Sequence, residues 1–250
     1  MHNTPQQHNY VISLLTAKER RNHIIQEFGK QNIPFEFFDA ITPDLIEKKA
    51  KEFDVDISNS PLTKGEIACA LSHIALWHLV KENRLDYICI FEDDIYLGDN
   101  VISFLTNTYI PQNTHIVKFE KFLDKVQLSK QPITALGERK IYQLKGKNPC
   151  TAGYLLTNLG AKFLLDKFKF YNFSVPFDDF IFKELIKDNN YIALQIVPAF
   201  VIQNHLFEST LDKERNQRKD EKKNKSIFNL ISKEIERFIA KRNRAKIEFK

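Results

Sequence analysis

The stretch Tyr87-Ile88-Cys89-Ile90-Phe91-Glu92-Asp93-Asp94-Ile95 decides the fold, because an unbroken apolar run ends abruptly in three carboxylates. The apolar, β-prone residues read as a strand buried on both faces of an α/β sheet. The acids fall at its carboxyl end, where open α/β sheets bind ligands in the crevice beyond the strands. Three crowded negative charges repel one another, and a hard divalent cation such as Mg²⁺ or Mn²⁺ relieves that repulsion. The alternative reading is a solvated acidic turn after a core strand.

Working outward, Asn9 to Leu15 reads as a first strand, with Thr16 as the cap of a polar helix through Lys30. Phe35 to Ile41 is a second strand, and 42–60 carries only weak helical periodicity. Thr63 and Glu66 have the spacing of a capping box and predict a helix over 64–82 with a broad apolar surface. A helix from Asp99, strands at 115–119 and 140–144, and a short strand at 150–157 leading into a helix over 158–168 follow. Gly153 marks a bulge or a close backbone approach to a ligand. Asp178 and Asp179 start a helix to Lys187, and 191–200 supplies a last strand. Strands alternating with helices imply a doubly wound, mostly parallel sheet flanked by helices.

With 250 residues, 43% of them hydrophobic and 28% charged, the chain suits one large α/β domain with a substantial core. No stretch approaches the ~18 apolar residues that span a bilayer, and the start lacks a secretory signal, so a cytoplasmic location is expected. Cys69, Cys89 and Cys150 are odd in number and without metal-ligand spacing, which predicts reduced core thiols. The net charge of +5 is uneven: residues 211–250 hold 14 basic and 7 acidic side chains, leaving the body slightly acidic. Basic character confined to a tail argues against nucleic-acid binding. The predicted domains are therefore 1–210 and a basic tail over 211–250. In that tail Ile227, Leu230, Ile231, Ile235, Phe238 and Ile239 recur at helical spacing among basic residues. Such a helix lies on an anionic membrane surface, or packs on its own domain or a second subunit.

Five pieces in order carry a family signal: GEIACALSHIALW (65–77), FEDDI (91–95), CTAGYLLT (150–157), PFDDF (176–180) and QNHLFEST (203–210). With the opening VISL and Arg20-Arg21, this order resembles glycosyltransferase family 25, which includes lipooligosaccharide galactosyltransferases. The resemblance implies a GT-A-like fold, a UDP-sugar donor, Mn²⁺ or Mg²⁺, and inversion at the anomeric carbon. It implies a hexose, galactose, moved onto a lipooligosaccharide acceptor by an enzyme peripheral on the inner membrane.

Under that resemblance Glu92-Asp93-Asp94 stands for the family's DxD-type motif, with Asp94 and Glu92 as metal ligands and His205 completing the shell. Glu92 and Asp93 also serve the donor, together with Ser13, Arg21, His73, Gly153 and Ser209. A carboxylate that takes the proton of the attacking hydroxyl is needed, and Asp178 and Asp179 are the candidates. Bland roles stand beside these: a helix cap and first-turn charge for the aspartates, a core histidine for His73, a surface histidine for His205. The rivals are a UDP-glucose-dependent enzyme of the same fold and an α/β module that binds metal without transferring sugar. A dinucleotide oxidoreductase is disfavoured because no G-x-G-x-x-G turn follows the first strand.

Overall fold

Alternating β-prone runs and helices fold into an α/β arrangement in the computed structural model, which describes residues 8–203 and 244–250. β1 (Asn9–Ser13), α1 (Lys18–Gly29) and β2 (Glu36–Asp39) open the chain. α2 (Ile46–Glu52) and α3 (Lys64–Glu82) lead to β3 (Tyr87–Glu92) and the short β4 (Ile95–Leu97). β5 (Ile116–Lys118), β6 (Lys125–Gln127), β7 (Thr134–Leu136) and β8 (Arg139–Gln143) follow. β9 (Gly153–Thr157) runs directly into α4 (Asn158–Phe168), and α5 (Phe177–Asp179) is a single turn. β10 (Ala193–Val197), β11 (Val201–Gln203) and β12 (Arg244–Lys246) complete the described elements.

Eight strands form one sheet in the order β2-β1-β3-β9-β5-β10-β8-β7. Six of them point the same way, so the sheet is mostly parallel in direction, but β8 and β9 are reversed. The strand pleat divides the core. Ile88, Ile90, Tyr154 and Leu156 pack beneath α3 and α4, whereas Val11, Cys89, Phe91 and Leu155 face α1. Helices thus cover both faces, as the alternating pattern predicts.

α3 spans the predicted residues because its start is fixed twice. Thr63 Oγ1 accepts the Glu66 amide at 3.2 Å, and the Thr63 amide donates back to Glu66 Oε2 at 2.9 Å, a cap that contributes about 1 kcal/mol. Leu71, Ile74 and Trp77 along it are fully buried. α4 also matches, capped by Thr157, whose hydroxyl accepts the Gly160 amide at 2.9 Å. A Cβ at Gly160 would stand 2.0 Å from the His115 carbonyl oxygen, so this helix lies against β5 only because the residue is glycine.

Elsewhere the sequence expectations need correction. α1 begins after Ala17 with no side-chain cap, so Thr16 does not serve as one. The helix expected from Asp99 is a single 3-10 turn, Val101–Phe104, entered through Asn100 in the left-handed region at φ 54°. The helix expected from Asp178 to Lys187 breaks into α5, a π-helical stretch and a 3-10 turn. The unassigned 42–60 segment contains α2 and a 3-10 turn at its start.

The amphipathic helix expected within the basic tail lies outside the described residues. The described end, 244–250, is extended: β12 pairs antiparallel with β6, Ile247 is fully buried, the Ala199 amide donates to the Glu248 carbonyl and the Lys250 amide donates to the Ala199 carbonyl. No described helix is long and apolar enough to cross a membrane.

His115, at the start of β5, gives the fold a pH dependence. Its Nδ1 accepts the Ile192 amide at 3.1 Å, which requires the neutral ring, and burial lowers its pKa from the ordinary 6.5. The unfolded chain therefore takes up this proton first, and the stabilising contribution is whole above pH 6.5 and shrinks as pH falls below it. In chemical denaturation, the wild type should lose more stability between about pH 7.5 and 5.5 than His115→Asn, which keeps an acceptor for Ile192 but cannot ionise. Equal losses in the two proteins would remove His115 from the account.

Candidate functional site

The pleat of β3 sorts the acidic triplet. Glu92 continues the face of Ile88 and Ile90 toward α3, where Thr151 Oγ1 donates to its Oε1 at 2.9 Å and His73 Nε2 stands 3.6 Å away. Burial opposes ionisation of Glu92, but His73, Thr151 and Lys118 outweigh it and hold the carboxyl below its ordinary value. Asp93 turns toward α1 instead, accepting from Ser13 Oγ at 2.7 Å and from Arg20 Nη1 at 2.8 Å. Asp94 has weaker company: Gln203 Nε2 at 3.5 Å and Arg20 Nη1 at 3.7 Å. Burial first, then the charges of Glu92 and Asp93, push its pKa up to about 7 against the pull of Arg20.

A loop from Pro149 to Ala152 forms the opposite wall, and a buried ion pair holds it. Lys118 Nζ pairs with Glu120 and donates to the carbonyls of Pro149, at 3.0 Å, and Cys150, while lying 4.2 Å over the Phe182 ring. Glu120 Oε2 in turn accepts the Ala152 amide at 3.1 Å. Both side chains are almost completely buried, and burial raises the Glu120 pKa despite Lys118. Cys150 adopts φ 80°, donates its amide to Asp178 Oδ2 at 2.9 Å and points its thiol at Gln203 Oε1 at 3.2 Å. Glu92, Asp94 and Asp178 are thereby tied together through Thr151, Gln203 and Cys150.

The other predicted residues make these contacts. Ser13 is buried and holds Asp93. Arg21 braces the ends of β1 and β2, donating to the Ser13 and Leu14 carbonyls, pairing with Asp39 and lying 4.6 Å from the Phe37 ring. The arginine that reaches the acids is Arg20. Gly153 lies within the sheet opposite Phe91, and a Cβ there would meet the Val201 side chain at 3.0 Å, so its neighbour is core rather than ligand. His73 is fully buried under the site, with Nδ1 at 2.9 Å from the Tyr154 hydroxyl. Asp179 lies 3.4 Å from Lys183, whereas Asp178 belongs to the loop wall. His205 and Ser209 lie outside the described residues.

Thr151, Gln203, Lys118 and Glu120 were not singled out from sequence. Thr151 and Gln203 stand within the quoted pieces 150–157 and 203–210, and Lys118 and Glu120 are charges two apart in an otherwise apolar strand segment, hence on one face.

An oxygen-donor cation fits here, since the Asp94 carboxylate is buried beside two others with only part of Arg20 to balance it. A separate open hollow of about 490 Å³ between Glu27, Gln31 and Asn100 contains none of these carboxylates, and the chemistry favours the acidic strand end.

Comparison with known proteins gives a consistent picture. The family model described as glycosyltransferase family 25 (LPS biosynthesis protein) matches residues 6–181. A candidate glycosyltransferase of Haemophilus influenzae is 42% identical over 259 residues, covering all of this chain and 91% of that protein. The lipooligosaccharide biosynthesis protein lex-1 of the same species is 31% identical, covering 95% of this chain and 92% of its own. The lacto-N-neotetraose biosynthesis glycosyltransferase LgtB of Neisseria gonorrhoeae is 36% identical over 64% of this chain and 60% of its own. Mouse xyloside xylosyltransferase 1, apo form, aligns with a TM-score of 0.38 at 13% identity over 73% of this chain and 70% of that one, a likeness too slight to support any argument.

The buried ion pair makes a direct prediction. Lys118→Met leaves Glu120 charged and buried alone, and should cost about 3–5 kcal/mol in urea unfolding. Lys118→Met with Glu120→Gln, which keeps an acceptor for the Ala152 amide, should recover part of that loss. A single-variant cost below about 1 kcal/mol would mean that the pair does not hold the loop.

Proposed function

The chain belongs to glycosyltransferase family 25, and from that premise we propose that it is an inverting, GT-A-like enzyme moving galactose from UDP-galactose onto a lipooligosaccharide. The observation that supports this reading most is the under-compensated Asp94 carboxylate at the carboxyl end of β3, joined through Gln203 and Cys150 to Asp178. The galactose assignment rests on the family resemblance, and UDP-glucose is its rival.

Displacement at the anomeric carbon expels UDP, whose diphosphate gains charge as the bond breaks. Mn²⁺ or Mg²⁺ held by Asp94 supplies positive charge there when bound. Arg20, fixed against Asp93, keeps a guanidinium beside the same carboxylates. On the acceptor side, Asp178 takes the proton of the attacking hydroxyl, an aid of about 10²–10⁴-fold. The Cys150 amide orients it by binding one oxygen, which leaves the other for the acceptor. Asp179 is the weaker candidate because Lys183 engages it.

A lipid-linked acceptor fits the excess of basic over acidic side chains in 211–250, which suits an anionic leaflet at about 1 kcal/mol for each basic residue near the surface. We infer peripheral attachment at the cytoplasmic face of the inner membrane, with no nucleic-acid partner.

Turnover of UDP-galactose and UDP-glucose with a lipooligosaccharide acceptor, with Mn²⁺ and after chelation, tests this reading. UDP-galactose should be consumed only with the cation; Asp94→Asn should lower kcat at least about 100-fold, and Asp178→Asn by about 10²–10⁴-fold. Asp179→Asn should stay within about tenfold of wild type. Turnover of glucose alone would overturn the donor, chelator-resistant activity the cation, and an unimpaired Asp178→Asn the base. Absence of any transfer would favour a metal-binding module.

A further inference from the structure

We propose that Cys69, His73 and Glu92 form a zinc-type site beneath the acidic strand end, distinct from the Asp94 carboxylate. Cys69 and His73 are four residues apart on α3, so they share one face a turn apart, and Glu92 meets them from β3. Their donor atoms all lie within 4.8 Å of one another. The His73 Nε2 to Glu92 Oε1 distance of 3.6 Å is too long for a hydrogen bond. It matches the roughly 3.5 Å edge of a tetrahedron whose bonds to zinc are about 2.0–2.3 Å.

A second observation points to a ligand. His73 is fully buried, yet its Nε2, aimed at this space, has no hydrogen-bond partner. An orphaned buried polar atom costs about 1–3 kcal/mol, which coordination would remove. The ring is already oriented for it. The Tyr154 hydroxyl oxygen lies 2.9 Å from His73 Nδ1 and accepts Trp77 Nε1 at 3.0 Å; with two lone pairs it can take both donors. With the proton on Nδ1, donated to that hydroxyl, Nε2 would present its lone pair to a metal, the pattern of a metal-bound histidine with an outer partner; without the metal, a proton on Nε2 faces Glu92 instead. Phe177 packs on the ring with centroids 4.9 Å apart, and Thr151 holds the Glu92 carboxylate from the other side.

The donor set selects the metal class. Thiolate, imidazole and carboxylate suit zinc, whereas the diphosphate partners Mn²⁺ and Mg²⁺ prefer oxygen. One thiolate and one carboxylate neutralise a divalent ion, so the filled site carries no net charge into the core. The Glu92 side chain is 22% exposed, and on that side water completes the fourth position. Glu92 is then anchored to α3, leaving Asp94 to face the donor. The site does not depend on the transferase reading, and its test needs no turnover.

Cobalt replaces zinc in such sites and reports its ligands by absorption. The full chain, stripped with chelator and titrated with Co²⁺, should bind one equivalent with a thiolate-to-cobalt band in the near ultraviolet that added Zn²⁺ removes. Cys69→Ser should abolish the band, and His73→Gln should weaken binding at least about tenfold. Cys89→Ser, Cys150→Ser and Asp94→Asn should keep it. No thiolate band in the wild type at saturating cobalt, which would leave only water beside His73, overturns the proposal, as does a band that survives in Cys69→Ser. The wild-type spectrum decides even if a variant fails to fold.

Discussion

Three adjacent carboxylates at the end of a buried strand repel one another, and the structure is organised around separating them. The pleat does the first part by sending Glu92 toward α3 and Asp93 toward α1, with the sheet between them. Each then finds its own compensation: His73 and Thr151 for Glu92, Ser13 and Arg20 for Asp93. Asp94 is left with a distant amide and a shared guanidinium, and its raised pKa records that deficit. Two of the three carboxylates are thus satisfied internally, and Asp94 alone is not.

The second dependence runs through Lys118 and Glu120. Removing two charges from water is costly, and a pair of this kind is poor evidence of stability in its own right. Its effect here is geometric, because the charges bind the Pro149, Cys150 and Ala152 backbone on which Thr151 and the Asp178-binding amide are mounted. Cys150 at φ 80° is a conformation that a non-glycine residue holds only when its surroundings over-determine it. Lys118, Asp178 and Gln203 provide those surroundings.

Much of this was legible in the sequence where the signal is local. The capping box fixed the start of α3, the apolar run ending in acids located β3, and Thr157 with its following residues located α4. Choosing Arg20 over Arg21 needed the phase of α1 relative to the sheet, which an uncapped, weakly amphipathic helix does not reveal. Gly153 reads from sequence as a bulge or a ligand approach, whereas its missing Cβ accommodates Val201, a contact between residues 48 apart. The Cys69–His73 pair had helical spacing in plain view, yet its third donor comes from another element. Long-range partners of this kind carry no periodic signal.

Strand direction was the least legible property and has the largest consequence for the site. Alternating strands and helices predict parallel neighbours, but β9 is antiparallel to both β3 and β5. Its register sets Gly153 opposite Phe91, so the residues entering β9 lie beside those leaving β3. Had β9 run parallel, Thr151 would stand at the far end of the sheet from Glu92, and Asp178 would lose its amide at this end. Reversal of one central strand is therefore what brings two sequence-distant loops to a single edge: one supplies the carboxylates, and the other supplies the groups that orient them.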